Sequence, residues 1–132
     1  MSISEKIRQI SDMECTGGCS IKQVEEAQKR LGLIFPKEYV EYVTNFGAID
    51  FYGTEWTGLN IEGYFNTVEA TLKEQGVNSF FPDKHFVLED LCIDAKKVIV
   101  NEQGQVFMLQ YDKIEKIFET IIEYLDSCIK RK

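Results

Sequence analysis

Four cysteines, a single histidine and a surplus of carboxylates are the side chains of this chain that could do chemistry. Cys15 and Cys19 form a C-x3-C pair that would hold zinc if Cys92 and Cys128 folded onto it. No second closely spaced pair accompanies them, and His85 heads an apolar, strand-like run, so no metal site is expected. Nucleophilic catalysis would need Cys or Ser beside His and a carboxylate, and nothing in the order of residues signals that grouping. Two carboxylates can do acid–base work, but with 22 Asp and Glu in the chain such pairs arise by chance alone. Thr16-Gly17-Gly18 lacks the spacing and the preceding strand of a phosphate-binding loop. The expectation is a non-enzymatic protein with no cofactor.

The charge pattern points instead to binding. From Glu38 to Leu72 there are six carboxylates, eight aromatics and no Lys or Arg. Aromatics give large contact area at low ordering cost, and unpaired carboxylates steer a positively charged protein toward them. Acidic helix positions are also the ordinary composition of a solvated face, and several of these aromatics sit at core spacing. The net charge of −7 argues against nucleic acid or an anionic membrane as direct ligand. The one basic cluster, Lys130, Arg131 and Lys132, falls at a helix C-terminus, where positive charge is favoured by the macrodipole.

The length of 132 residues suits a single domain spanning 1–132. No apolar run approaches the ~20 residues of a membrane span, and the N-terminal MSISEKIRQISD is too polar for a signal peptide. A cytoplasmic location, with the cysteines as thiols, is therefore expected.

The elements that must position these residues follow from periodicity. Ile3, Ile7 and Ile10 predict a helix over about Ile3 to Met13, broken by Thr16-Gly17-Gly18. Ser20 and Gln23 form a capping box for a helix with Ile21, Val24, Ala27 and Leu31 on one face, ended by Gly32. Pro36 opens a third helix, whose buried stripe Tyr39, Val40, Val43 and Phe46 stops at Gly47. Period-two alternation at Ile49 to Tyr52, a Gly53-Thr54 turn and a return over Glu55 to Leu59 predict a hairpin. Asn66 and Glu69 suggest a second capping box, for a short helix reaching Gln75 and closed by Gly76. Strands are expected over His85–Glu89, Leu91–Asp94, Lys97–Asn101 and Gln105–Gln110. A last capping box, Asp112 with Glu115, predicts a long terminal helix with Ile114, Ile117, Phe118, Ile121, Leu125 and Cys128 on one face.

Several of these pieces occur together in one order: Leu31-Gly32, then Phe35-Pro36-x-x-Tyr39, Phe46-Gly47-Ala48, Gly53-x-Glu55-x-x-Gly58, Asn66 to Thr71, and a terminal helix after Gly104-Gln105-Val106. With Thr16-Gly17-Gly18 ahead of them, they resemble the SUKH (SMI1/KNR4) superfamily of bacterial immunity proteins and fungal cell-wall regulators over nearly the whole chain. The chain departs from many members in having Phe35 rather than Leu before the proline, and in placing Trp56 within the Glu55–Gly58 turn. The resemblance implies an α+β fold, a mixed or antiparallel sheet flanked by N-terminal helices and a long C-terminal helix, without established catalytic activity. It also implies a binding role. Bacterial members mostly neutralise toxins, commonly nucleases or nucleic-acid deaminases, whereas fungal members act as regulatory partners. The small size without long flanks favours the bacterial type, with a regulatory or scaffold protein as the alternative.

A nuclease inhibitor gains from presenting carboxylates where phosphates would lie, so the expected partner is a basic cognate toxin. Alternation selects the contact surface. With Ile49, Phe51 and Leu59 inward, Asp50 and Tyr52 point outward, and the surface is expected to comprise Asp50, Tyr52, Glu55, Trp56, Asn60, Glu62 and Tyr64, with the core as the alternative place for Trp56, since a lone Trp in a small domain is more often core than contact.

Overall fold

A computed structural model describes residues 1–132. Helix α1 (Ile3–Arg8) begins at a capping box made by Ser2 and Glu5 and leads to the short strand β1 (Glu14–Cys15). Helix α2 (Ile21–Leu31) starts at the Ser20–Gln23 capping box and ends where Gly32 adopts a left-handed conformation. Helix α3 (Lys37–Phe46) follows Pro36 and stops at Gly47. The chain then forms β2 (Ile49–Phe51), β3 (Thr54–Trp56), a 3-10 turn over Gly63–Phe65 and α4 (Thr67–Val77). Strands β4 (His85–Asp90), β5 (Lys96–Asn101), β6 (Val106–Gln110) and β7 (Lys113–Phe118) precede the terminal helix α5 (Ile121–Ile129).

All seven strands lie in one antiparallel sheet in the order β1 to β7, so each strand pairs with its neighbour in sequence. The domain is α+β, as expected. One face of the sheet, with Phe86, Leu88, Val98, Val100 and Val106, meets Tyr39, Val43, Ile121 and Leu125 from α3 and α5 in the principal core. The other face is covered only in part: Val87, Ile99 and Leu109 lie beneath Ala70 of α4, Phe81 and Phe107. Over β1 to β3 that second face is open.

The glycines of the resemblance serve packing. Gly18 lies against the Thr44 carbonyl and Gly58 against the Gly47 carbonyl, so closely that a Cβ at either position would overlap backbone. The Thr16 N–H donates to the Ala48 carbonyl at 3.1 Å, and the Ala48 N–H donates to Thr16 Oγ1 at 3.0 Å. Thr16-Gly17-Gly18 is thus a seam between the first β-strand and the end of α3.

Six local expectations are corrected. Gly76 does not close α4, which runs through it to Val77 with Asn78 as its C-terminal cap. The segment from Lys113 to Phe118 is a strand, and α5 begins only after Thr120, whose side chain accepts from the Glu123 N–H. The helix-like spacing of Ile114, Ile117 and Phe118 arises because the β6–β7 register slips between Val106 and Phe107, a bulge that turns Ile117 and Phe118 toward the same core. Leu91 to Asp94 is a reversal, since Cys92, Asp94 and Ala95 take positive φ, which a strand ladder does not accommodate. Helix α1 ends at Arg8, and Asp12, at φ 60°, turns the chain into β1. The hairpin turn is Tyr52-Gly53, both at positive φ, with Thr54 already paired to Phe51. Asn66 caps α4 alone, because the Glu69 carboxylate reaches Arg30 at 3.2 Å.

Candidate partner-binding face

The open face of β1 to β3 carries a row of carboxylates. Strand register sets Glu14 opposite Asp50 and Asp50 opposite Glu55. All three are exposed, while their neighbours Ile49, Phe51 and Trp56 are buried on the opposite face. Directly opposed side chains in an antiparallel pair have Cβ atoms about 4.5–5.5 Å apart, so this row places like charges in contact range. None of the three has an ion-pair partner. The row ends at Asp90 of β4, the first of its carboxylates to meet a cation, with Lys97 Nζ at 3.6 Å. Lys97 also stands 3.9 Å from Glu74.

Loop residues border this row. Glu14, Asp50, Glu55, Ile61 and Phe65 are among the residues that line a shallow hollow of ≈ 190 Å³. Glu55 and Phe65 also wall a second hollow of ≈ 290 Å³, which Tyr64, Val77 and Lys97 complete. Neither reaches the ~300–1,000 Å³ of a small-molecule pocket, whereas an exposed ridge between two dimples suits a macromolecular contact. Tyr64 is 70% exposed and leans on Phe65 with ring centroids 4.2 Å apart, a projecting aromatic beside the carboxylates.

Of the seven residues expected at the contact surface, Asp50, Glu55, Glu62 and Tyr64 are exposed without ion pairs. Asn60 is exposed too, but its side-chain amide donates to the Gly17 carbonyl at 3.1 Å and so pins the loop. Tyr52 is corrected. It sits in the turn, where strand alternation no longer governs direction, and its hydroxyl bonds Ser11 Oγ at 2.6 Å while Lys132 Nζ lies 5.4 Å from its ring centre. Trp56 is also corrected: it is fully buried, stacked on Tyr124 at 5.9 Å, because β3 alternation turns it inward beside Glu55 facing out.

The aromatic-rich composition of the Glu38–Leu72 stretch proves largely a core signal. Tyr39, Tyr42, Phe46, Phe51 and Trp56 are all buried. Three of its carboxylates are also structural. Glu38 accepts from the Ile121 N–H at 2.9 Å and Glu41 from the Ser4 N–H at 3.0 Å, each placing negative charge at a helix N-terminus. Burial pushes the Glu38 carboxyl above its usual range, against the opposing effect of the α5 N–H groups. Glu69 pairs with Arg30. Sequence reasoning missed Glu14, Ile61 and Phe65, whose membership depends on a two-residue strand and a loop without a periodic signal.

A second polar cluster lies inside the principal core. Buried Glu89 accepts from Arg131 Nη1 at 2.7 Å and from the Tyr124 hydroxyl, and Arg131 also reaches Thr54 Oγ1 at 2.9 Å. Burial raises the Tyr124 hydroxyl well beyond its ordinary value and pushes the Cys128 thiol up to about 11. This cluster ties the end of α5 to β3 and β4, so Arg131 serves as a structural counter-ion to Glu89. The Trp56 indole N–H beside it has no hydrogen-bond partner.

The other reactive side chains are dispersed. Cys15 and Cys92 are exposed, Cys19 and Cys128 are buried, and no group of three or more metal-ligating side chains comes together. His85 Nδ1 is 2.6 Å from the Asp83 carbonyl and its ring packs edge-on to Phe107.

A family model described as SUKH_6, SMI1-KNR4 cell-wall, matches residues 21–125. The chain belongs to the SUKH_6 family. The matched span runs from α2 into α5 and includes β2, β3 and the loop that borders the acidic row, while Glu14 precedes it. SUKH domains of this kind are generally binding modules without catalysis of their own, of the immunity-protein or SMI1/KNR4 type. No curated protein matches the sequence. No helix of this SUKH domain is long and apolar enough to cross a membrane.

Proposed function

We propose that this SUKH domain is a cytoplasmic immunity protein that neutralises a basic cognate toxin by docking it on the Glu14–Asp50–Glu55 row, with Tyr64 as aromatic anchor. The observation that supports this reading most is that Glu14, Asp50 and Glu55 all lack an ion-pair partner. Like charges directly opposed in a sheet are destabilising, so a fold that retains three of them gains from an external positive surface. A nuclease or nucleic-acid deaminase presents such a surface, because its site is built to hold phosphates, and opposed potentials raise the encounter rate.

The domain does this without chemistry of its own: its carboxylates steer and seat the partner, and the buried Glu89–Arg131 pair keeps β3 and β4 in place beneath them. The SMI1-KNR4 cell-wall description of the family model favours one second reading, a regulatory binding module that uses the same face on a partner other than a toxin. Co-expression with the product of the neighbouring reading frame, where that frame encodes a secreted protein with a toxic C-terminal domain, separates the two. Growth rescue and co-purification by the wild-type chain, lost with Asp50→Lys/Glu55→Lys, support immunity. A wild-type chain that neither rescues growth nor co-purifies overturns it.

A further inference from the structure

The sheet has a second free edge, far from the acidic row. Strand β7 is the last in the order, and Lys113, Ile114, Glu115 and Lys116 are all exposed along it. Tyr111 and Ile114, at 66% and 42% exposure, add apolar surface to this edge. An unpaired edge is a template for another strand, and proteins commonly blunt it with charged side chains, especially Lys. Here the charges alternate in sign: Asp112, Lys113, Glu115 and Lys116.

We infer that the β7 edge is a self-association surface, on which a second copy of this chain pairs antiparallel about a two-fold axis at Ile114. Such an axis, perpendicular to the sheet, keeps like faces together, so opposed residues must lie on the same face and the axis must pass through a residue. Gln110 and Lys113 close the two-residue turn of the β6–β7 hairpin. Ladder alternation then sends the N–H and C=O of Ile114 and Lys116 outward, the groups that a pairing centred on Ile114 uses.

That register sets Ile114 against Ile114 of the second copy, Lys113 against its Glu115, and Asp112 against its Lys116. Centring on Glu115 or Lys116 instead opposes identical charges, and centring on Lys113 does the same. Charge order thus selects one register. Asp112, Lys113 and Glu115 have no ion-pair partner within the chain. Lys116 contacts Glu119 at 2.5 Å, an exposed pair that exchanges at little cost. The dimer leaves both acidic rows open at the two far ends of the joined sheet. Its contact is short, which places it among weak interfaces.

Sedimentation of the full chain from about 10 μM to about 1 mM tests this, a range that spans weak association. The wild type is expected to shift from monomer to dimer with concentration. Glu115→Lys opposes two lysine pairs and should weaken the dimer by about tenfold or more, whereas Lys113→Glu/Glu115→Lys restores opposite charges and should recover it. Circular dichroism verifies that each variant is folded. A wild type monomeric throughout, a Glu115→Lys variant that dimerises like the wild type, or a double variant that fails to recover would each overturn the inference.

Discussion

Asp50 is the centre of the acidic row, flanked across the strands by Glu14 and Glu55, so its neutralisation removes two like-charge contacts at once. Asp50→Asn keeps the shape of the side chain, and both residues are comparably poor in strands, so the charge term dominates. Cross-strand pairs are worth roughly 0.2–1 kcal/mol each; after discounting for the exposure of all three carboxylates, a gain of about 0.5–1 kcal/mol is expected for the free protein. For a domain of this length that is a rise of about 2–5 °C in Tm.

Thermal unfolding followed by calorimetry at about 0.01 M and about 1 M salt measures it, since the screening length falls from about 30 Å to about 3 Å over that range. The gain should be present at low salt and nearly vanish at high salt. Glu62→Gln, at a site without an opposed carboxylate on a paired strand, serves as a control and should leave Tm unchanged. A lower or unaltered Tm for Asp50→Asn at low salt, or an increase that persists undiminished in high salt, would refute the reasoning from unrelieved repulsion.

The Glu89–Arg131 pair makes a contrasting prediction: Arg131→Ala strands a buried carboxylate and should cost about 2–3 kcal/mol in urea unfolding, below the fully buried case because Arg131 is about one third exposed. Glu89→Gln in the same chain should recover part of that loss. Trp56→Phe, which forfeits no hydrogen bond, should cost about 1–2 kcal/mol, against about 3–5 for Trp56→Ala, in the same assay. The raised Glu38 carboxyl means that folding favours its protonated form, so its contribution is fully present below pH 4.5 and lost as pH rises through the elevated folded value. Glu38→Gln keeps an acceptor for the Ile121 N–H, so its stability relative to the wild type should increase between pH 4 and pH 7 in unfolding titrations.

The helices were readable because their start and stop residues are local: Ser20 with Gln23, Pro36, Gly32 and Gly47 mark ends without tertiary information. Strand β7 was not, because a bulge places Ile117 and Phe118 on one face and so reproduces the spacing of a helix. At the contact surface, alternation correctly turned Asp50 outward and Ile49 and Phe51 inward. It failed at Tyr52, where the chain leaves the strand for a turn. Trp56 obeys it, since its cross-strand partner Ile49 faces inward. Glu14 lies 36 residues before Asp50 and joins it only through β1, a pairing that no local pattern announces.

Whether the carboxylate row receives a cationic protein is decided by association kinetics. Binding of the wild-type chain and of Asp50→Lys/Glu55→Lys to an immobilised, inactivated cognate toxin, identified by co-purification with the wild-type chain, is measured over a salt series. Association is expected to slow by at least about tenfold in the variant, with a flatter salt dependence and a dissociation rate changed less. Equal association rates and equal salt slopes for the two chains would contradict it.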